Sequence, residues 1–193
     1  SFPLCTDDLT KALSQVDVMI DFSSPESTLL LLKEAMKHKA ALIIGTTGLT
    51  AQHEEAMRQV SKVVPLVYSA NMSVGINTLL AVLPQLSHAL PTWDVEVLEL
   101  HHREKKDAPS GTALAIAKMI RPEEHIVKAR TGNAYRKNVQ ELAMASLRGG
   151  DVAGEHTVFF FSDGERLEIT HRATNREIFS RGALRAASWV VTQ

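Results

Sequence analysis

His101-His102-Arg103-Glu104-Lys105-Lys106-Asp107-Ala108-Pro109-Ser110-Gly111-Thr112-Ala113 brings two imidazoles, a basic cluster and a helix-start signal into one short segment. An imidazole titrates near neutrality and can give or take a proton, whereas a lysine ammonium is a compact positive charge. Pro109 and Ser110 read as a turn into an N-cap. Gly111 and Thr112 then offer backbone N–H groups at the positive end of a helix, where a carboxylate or phosphate can sit. The pattern points to a catalytic site for a small anion. Each part also has a plainer reading: exposed histidines at a strand end, a solvated lysine pair, a helix cap with no ligand. Adjacent strand residues face opposite sides, so His101 and His102 are not expected to share one task unless the strand has already broken. A metal is not expected, because the histidines lack i, i+4 helical spacing and Cys5 is the one cysteine.

The elements that position this segment follow two patterns. Residues 16–20 read as a buried strand, Ser24-Pro25-Glu26 starts a helix to about Lys39, and Ala41–Ile44 is a second strand. Thr50 caps a helix to about Ser61, 63–68 is a third strand, and a long helix runs from about Val74 to Ala89, with Pro84 expected to kink or locally unwind it. Strands alternating with such helices imply a parallel, doubly wound sheet whose ligands gather at the strands' carboxyl ends. Those ends are Asp21-Phe22-Ser23, Gly45-Thr46-Thr47 and Ser69-Ala70-Asn71. Phe22 is either a core residue or a cofactor contact. After Pro91-Thr92 the pattern changes: 94–102 alternates, 142–147 is a strand, and 156–161 with 166–171 forms a hairpin around Ser162-Asp163-Gly164. A mixed or antiparallel sheet is expected, with helices from Ser110 and from about Glu177 on one face. Alternation sends Phe160 to the side opposite Phe159 and Phe161, so one face should pack on helices and the other on another subunit. The polar, cation-rich segment 121–141 reads as a mobile loop.

With 193 residues, 45% of them hydrophobic, the chain is long enough for a full core. A net charge of −1 and a pI near 6.7 argue against nucleic-acid or membrane binding by bulk charge. One cysteine fits a reducing cytoplasm, and neither a signal-peptide core nor a membrane-spanning apolar run is expected. Ser1 stands where an initiator methionine would.

The strand followed by E-x-HH-x-x-K-x-DAPSGTA resembles the signature of the dihydrodipicolinate reductase family, nicotinamide-dependent enzymes of lysine and diaminopimelate synthesis. Ile20-Asp-Phe-Ser-Ser-Pro25, Gly45-Thr-Thr-Gly48, Ser69-Ala-Asn-Met-Ser-Val-Gly75, Arg148-Gly-Gly-Asp-Val-Ala-Gly-Glu-His-Thr157 and Glu165-Arg-Leu-Glu-Ile-Thr-His-Arg172 follow in the family's order. The resemblance implies that His101 is the catalytic acid/base and Lys105 the catalytic lysine, with His102, Lys105, Ser110, Gly111 and Thr112 holding a small dicarboxylate. It implies NADH or NADPH at Phe22, Gly45, Thr46, Thr47, Ser69, Ala70, Asn71 and Met72. It also implies a partial dinucleotide-binding Rossmann-type domain over 1–72, with the first, glycine-bearing βαβ unit missing. An α+β domain for substrate binding and tetramer formation follows over 73–175, then a C-terminal helix over 176–193 that could return to the first domain. Arg148-Gly149-Gly150-Asp151 and Gly154-Glu155-His156 read as sheet-forming and assembly elements. Three alternatives stand beside this reading: a truncated, non-catalytic fragment of the same family, a semialdehyde dehydrogenase, for which Cys5 is in the wrong place, and a metal hydrolase.

Overall fold

A computed structural model describes residues 5–14 and 16–193, which divide into two compact units: one up to Met72 together with Phe179–Gln193, the other Ser73–Ile178. In the first, a three-stranded parallel sheet runs in the order β1 (Val18–Asp21), β2 (Ala41–Ile44), β3 (Leu66–Tyr68). The central strand is apolar on both faces because both are covered. Leu42 and Ile44 meet Leu13 of α1 (Leu9–Leu13), Leu32 and Ala35 of α2 (Pro25–His38) and Met57 and Val60 of α3 (Ala51–Val60). Ala41 and Ile43 meet Met72 with Ala183, Ala187 and Val190 of α6 (Glu177–Val190). Small residues let α6 lie close: a side chain at Gly182 would strike the Met72 carbonyl. Burying each large aliphatic contributes about 1.5–3 kcal/mol.

The boundaries have local causes. Ser24 caps α2 by accepting from the Ser27 N–H, Pro25 occupies the first turn, and Lys39 ends the helix in the left-handed conformation at φ 55°. The sequence pattern extends the third strand back to residue 63. Instead, the N–H groups of Val63 and Val64 bond the Val60 carbonyl at 2.9 and 3.0 Å, closing α3, and the first bond to β2 is the one the Pro65 carbonyl accepts from the Leu42 N–H at 3.0 Å. The short α1, capped by Asp8, carries too few residues to show periodicity and has no counterpart in the sequence reading.

The second unit holds a five-stranded mixed sheet in the order β5 (Ile126–Val127), β6 (Leu142–Arg148), β4 (Asp94–His101), β7 (Gly154–Ser162), β8 (Glu165–Ala173). β4 lies parallel to β6 and antiparallel to β7, and β7 and β8 form a hairpin. Val95, Val97, Leu142, Met144, Val158 and Phe160 pack against Ile76, Leu79 and Leu83 of α4 (Val74–Ala89) and Ala113, Ile116, Ala117 and Ile120 of α5 (Gly111–Ile120). Phe160 is fully buried there, while Phe159 and Phe161 stack on the opposite face, ring centres 5.6 Å apart.

Three expectations are corrected. α4 stays helical through Pro84 and does not unwind there, with Ile76, Leu79 and Leu83 in the core before the proline and Leu86 packed against the same core after it. The helices on the second sheet are α4 and α5, whereas the small buried residues of α6 pack in the first unit. Segment 121–141 is not a free loop. It contributes β5, and its cations meet carboxylates of β4 and of the segment itself: Arg130 contacts Glu96 at 2.7 Å and Glu141 at 2.6 Å, and Arg136 contacts Glu96 and Asp94, both at 2.7 Å. Among the described residues, no helix is long and apolar enough to cross a membrane.

Candidate active site

On β4 the side chains facing α4 and α5 are Val95, Val97, Glu99 and His101, all buried, so an apolar row turns polar at its carboxyl end. Glu99 is fully buried and His101 nearly so. Their i, i+2 spacing puts both on one face, and His101 Nδ1 bonds Glu99 Oε2. Burial opposes charge on Glu99, but hydrogen bonds from His101, Arg148 and Ser146 outweigh it and hold its pKa at about 2. An ionised carboxylate only accepts, so His101 carries a proton on Nδ1 and its working atom is Nε2. That atom faces Gly154, where an added Cβ would lie 3.0 Å from Nε2 and where φ of +152° suits glycine alone. Gly154 therefore leaves the reactive nitrogen uncovered.

The strand ends at His101, and the chain then turns. His102 is half-buried, with Nε2 3.4 Å from the Arg176 guanidinium. Lys105 Nζ donates to Asp107 at 2.7 Å; that bond is the main reason the Asp107 carboxyl lies below its ordinary range, and the Gly111 amide adds a smaller pull. The buried Ser110 caps α5, its Oγ accepting from the Ala113 N–H at 3.2 Å while its own N–H donates to Glu99 at 3.3 Å. Gly111 and Thr112 form the first turn behind it. Space around Gly111 is open, with nothing within 4 Å of an added Cβ.

His156 closes the site from β7. Its ring meets the His101 ring edge-on at 5.2 Å, Nε2 lies 3.2 Å from Ser110 Oγ, and Nδ1 is buried with no protein partner. Burial, followed by repulsion from His101, pushes its pKa down to about 4. Opposite it on β8, His171 stands 3.1 Å from Ser73 Oγ, the cap of α4, and burial lowers its pKa too. Among the described residues, no group of three or more His, Cys, Asp or Glu side chains is placed to hold a metal ion.

In the first unit, three loops follow the parallel strands. Asp21 organises the first: its buried carboxylate accepts from Ser23 N at 3.0 Å, Ser23 Oγ at 2.5 Å and Thr28 Oγ1 at 2.5 Å. Buried Thr46 in the second loop accepts from Ser23 N at 3.0 Å, joining the two, and Thr47 is exposed. Phe22 is no core residue. Its ring is half-exposed and lies against Gly45, where any side chain would run into it. Ser69 Oγ donates to the Asn71 carbonyl at 2.7 Å, curling the third loop past the exposed Ala70 toward buried Met72.

Residues 2–72 match the family model described as dihydrodipicolinate reductase, N-terminus, and residues 75–193 match its C-terminus. The chain belongs to the dihydrodipicolinate reductase family. It is 45% identical to the 4-hydroxy-tetrahydrodipicolinate reductase of Wolinella succinogenes over 98% of its length and 77% of the relative's. It is 47% identical to that of Myxococcus xanthus over 95% of its length and 71% of the relative's. A dipicolinate-bound dihydrodipicolinate reductase from Paenisporosarcina sp. TG-14 has the same fold, with TM-score 0.79 and 22% identity over 100% of this chain and 78% of that one.

For a member of this family, a nicotinamide nucleotide is the cofactor to test against the first unit. The residues fit its planar end: the exposed face of Phe22 beside side-chain-free Gly45, with Thr47 next to them, offers a flat apolar surface edged by polar atoms. In the second unit the structure gathers His101, Lys105, Ser110, Gly111 and Thr112 around one strand end. Sequence reasoning missed Glu99, Arg148, Gly154 and His156 as site residues. Glu99 had a signal, since it shares the strand phase of buried Val95 and Val97.

Proposed function

We propose that this chain catalyses the NADH- or NADPH-dependent reduction of dihydrodipicolinate to tetrahydrodipicolinate, the hydrated precursor 4-hydroxy-tetrahydrodipicolinate first losing its hydroxyl as water. Family membership supports the reaction. The geometric observation that carries it is an imidazole with Nδ1 fixed on an ionised carboxylate and Nε2 left facing Gly154, beside the start of a helix. Phe22, Gly45, Thr46, Thr47, Ser69, Ala70, Asn71 and Met72 line the cofactor's loops, and the bound nicotinamide supplies a hydride. Electron density then left on the neighbouring ring carbon takes a proton from His101 Nε2, while Glu99 stabilises the imidazolium before transfer. Lys105 moves from Asp107 to the substrate, where its ammonium offsets developing negative charge. Ser110, Gly111 and Thr112 at the α5 start hold one carboxylate and His102 helps to hold the ring.

The same reading assigns the second unit to substrate binding and assembly as a homotetramer. The sheet face away from the helices supports this: Leu147 is 51% exposed with exposed Ala145 before it on β6, and Phe159 and Phe161 stack on the same face toward the opposite end of the sheet. A reducing, cytoplasmic setting agrees with the single cysteine.

The test is substrate-dependent loss of reduced nicotinamide. The parent should turn over, and His101→Gln should lower turnover by roughly a hundredfold or more with little change in substrate affinity. A parent that binds dipicolinate yet oxidises no cofactor would make the chain a binding module. Equal turnover in parent and variant would remove His101 from the mechanism.

A further inference from the structure

Arg148, the last residue of β6, sits opposite His101 in the parallel ladder. A guanidinium carries five N–H bonds in a fixed plane. All five are engaged here. NH1 donates to Glu99 Oε2 at 3.0 Å and to the Leu147 carbonyl at 2.7 Å; NH2 donates to Glu99 Oε1 at 2.8 Å and to the Asp107 carbonyl at 2.6 Å; Nε donates to the Lys105 carbonyl at 3.3 Å. Each carboxylate oxygen of Glu99 is shared in turn, Oε2 with His101 Nδ1 and Oε1 with the Ser110 N–H. One planar group thus touches, directly or through a single carboxylate, the acid/base ring, the start of α5 and the backbone on both sides of Lys106.

We propose that Arg148, acting through Glu99, is the positioning residue of this site: it fixes His101, the α5 anion-binding turn and the Lys105 loop relative to one another. The role in catalysis rests on the reductase reading above, but the positioning itself does not. A buried ion pair kept only for stability would not require the remaining three donors to end on carbonyls of the chemistry-bearing loop and of its own strand. Lysine cannot replace it. An ammonium keeps the charge beside Glu99 but has three donors on a tetrahedral centre, so it cannot pair bidentately with the carboxylate and reach two loop carbonyls at once.

The experiment compares parent, Arg148→Lys and Arg148→Ala, with circular dichroism to establish folding; the lysine variant keeps the charge that buried Glu99 needs. Long-range nitrogen–proton NMR of the histidine rings reads the His101 tautomer without requiring any turnover. The parent should show the proton fixed on Nδ1, and both folded variants a mixture of tautomers. Steady-state kinetics should show turnover down roughly a hundredfold, the scale of an ångström-sized misplacement, with the KM for reduced nicotinamide unchanged. Millimolar guanidinium should restore part of that turnover in Arg148→Ala and none in Arg148→Lys, where the site is filled. A single Nδ1–H tautomer in a folded variant, with turnover of the parent's order, overturns the proposal. A parent that is inactive on dihydrodipicolinate refutes the reductase reading alone, and the tautomer measurement still decides the role of Arg148.

Discussion

His156 should make the second unit lose stability in mild acid, and its environment sets the size of the loss. It is 4% exposed, and it faces Glu99 and His101 from β4, His171 from β8 and the charge of Lys105. Protonation would place N–H on both nitrogens, although Nδ1 meets no protein acceptor, and would add a cation beside His101. The folded pKa is about 4 against an ordinary 6.5. A lowered histidine pKa means that the unfolded chain binds the proton first. The stabilisation is therefore fully present above the unfolded value and is lost as pH falls toward the folded one. At pH 5 the unfolded ring holds about 0.9 of a proton more than the folded ring, a slope of about 1.2 kcal/mol per pH unit. Integrated from pH 7 to pH 5, this amounts to about 2 kcal/mol. His171 shifts in the same direction and adds to the parent's slope. Glu99 acts lower: its stabilisation, present above its ordinary 4.5, is lost only as pH falls toward about 2. The assay is urea unfolding at half-unit steps of pH in a Trp189→Phe background, so that Trp93, packed against the second unit's core, is the reporter. His156→Gln should flatten the slope near pH 5 by about 1.2 kcal/mol per pH unit. A slope identical in parent and variant would refute the assignment of His156 as a neutral, desolvated ring.

Two further outcomes follow from the proposed function. Thr112→Val should weaken dipicolinate binding by about 1–3 kcal/mol, the range for losing a hydrogen bond to a charged group, and calorimetry showing equal affinity would move the carboxylate away from the α5 start. Light scattering of the parent should give about four times 21.2 kDa, and Leu147→Glu, which puts a charge on the open sheet face, should give smaller species; a monomeric parent would sink the tetramer.

The first unit was legible wherever local chemistry sets the element. Ser24-Pro25 and Thr50 mark helix starts, and β2 is apolar throughout because it is covered on both faces. Its failure came from the apolar Val63-Val64 pair, which serves a helix end here but reads equally as strand, while Phe22 stayed open between core and contact because the glycine its ring lies against is distant in sequence. The catalytic segment stood out because its residues are contiguous. Its support did not, since Arg148 and His156 approach from other strands and only the sheet's pairing brings them in. Glu99 was visible but ambiguous: the apolar phase of β4 changes from Val95 and Val97 to Leu98 and Leu100, so alternation gives no single inner face. The cations of 121–141 look solvated in sequence because the carboxylates they meet lie mostly on β4.

The line of Ser146, Glu99, His156 and His171 across four adjacent strands has a consequence for how the sheet assembles. Valine, leucine and phenylalanine cannot tell one alignment of neighbouring strands from another shifted by two residues, since either keeps the apolar side inward. The polar line can. Moving β7 by two places along β4 would set Val158 or Gly154 opposite Glu99 and carry His156 away from Ser110, stranding a buried carboxylate and a helix cap beside groups unable to answer them. Such losses cost several kcal/mol, so misaligned sheets are excluded by penalty rather than by a better-packed core. Replacing the whole line with apolar residues would then yield a sheet that is well packed but indifferent to its own alignment.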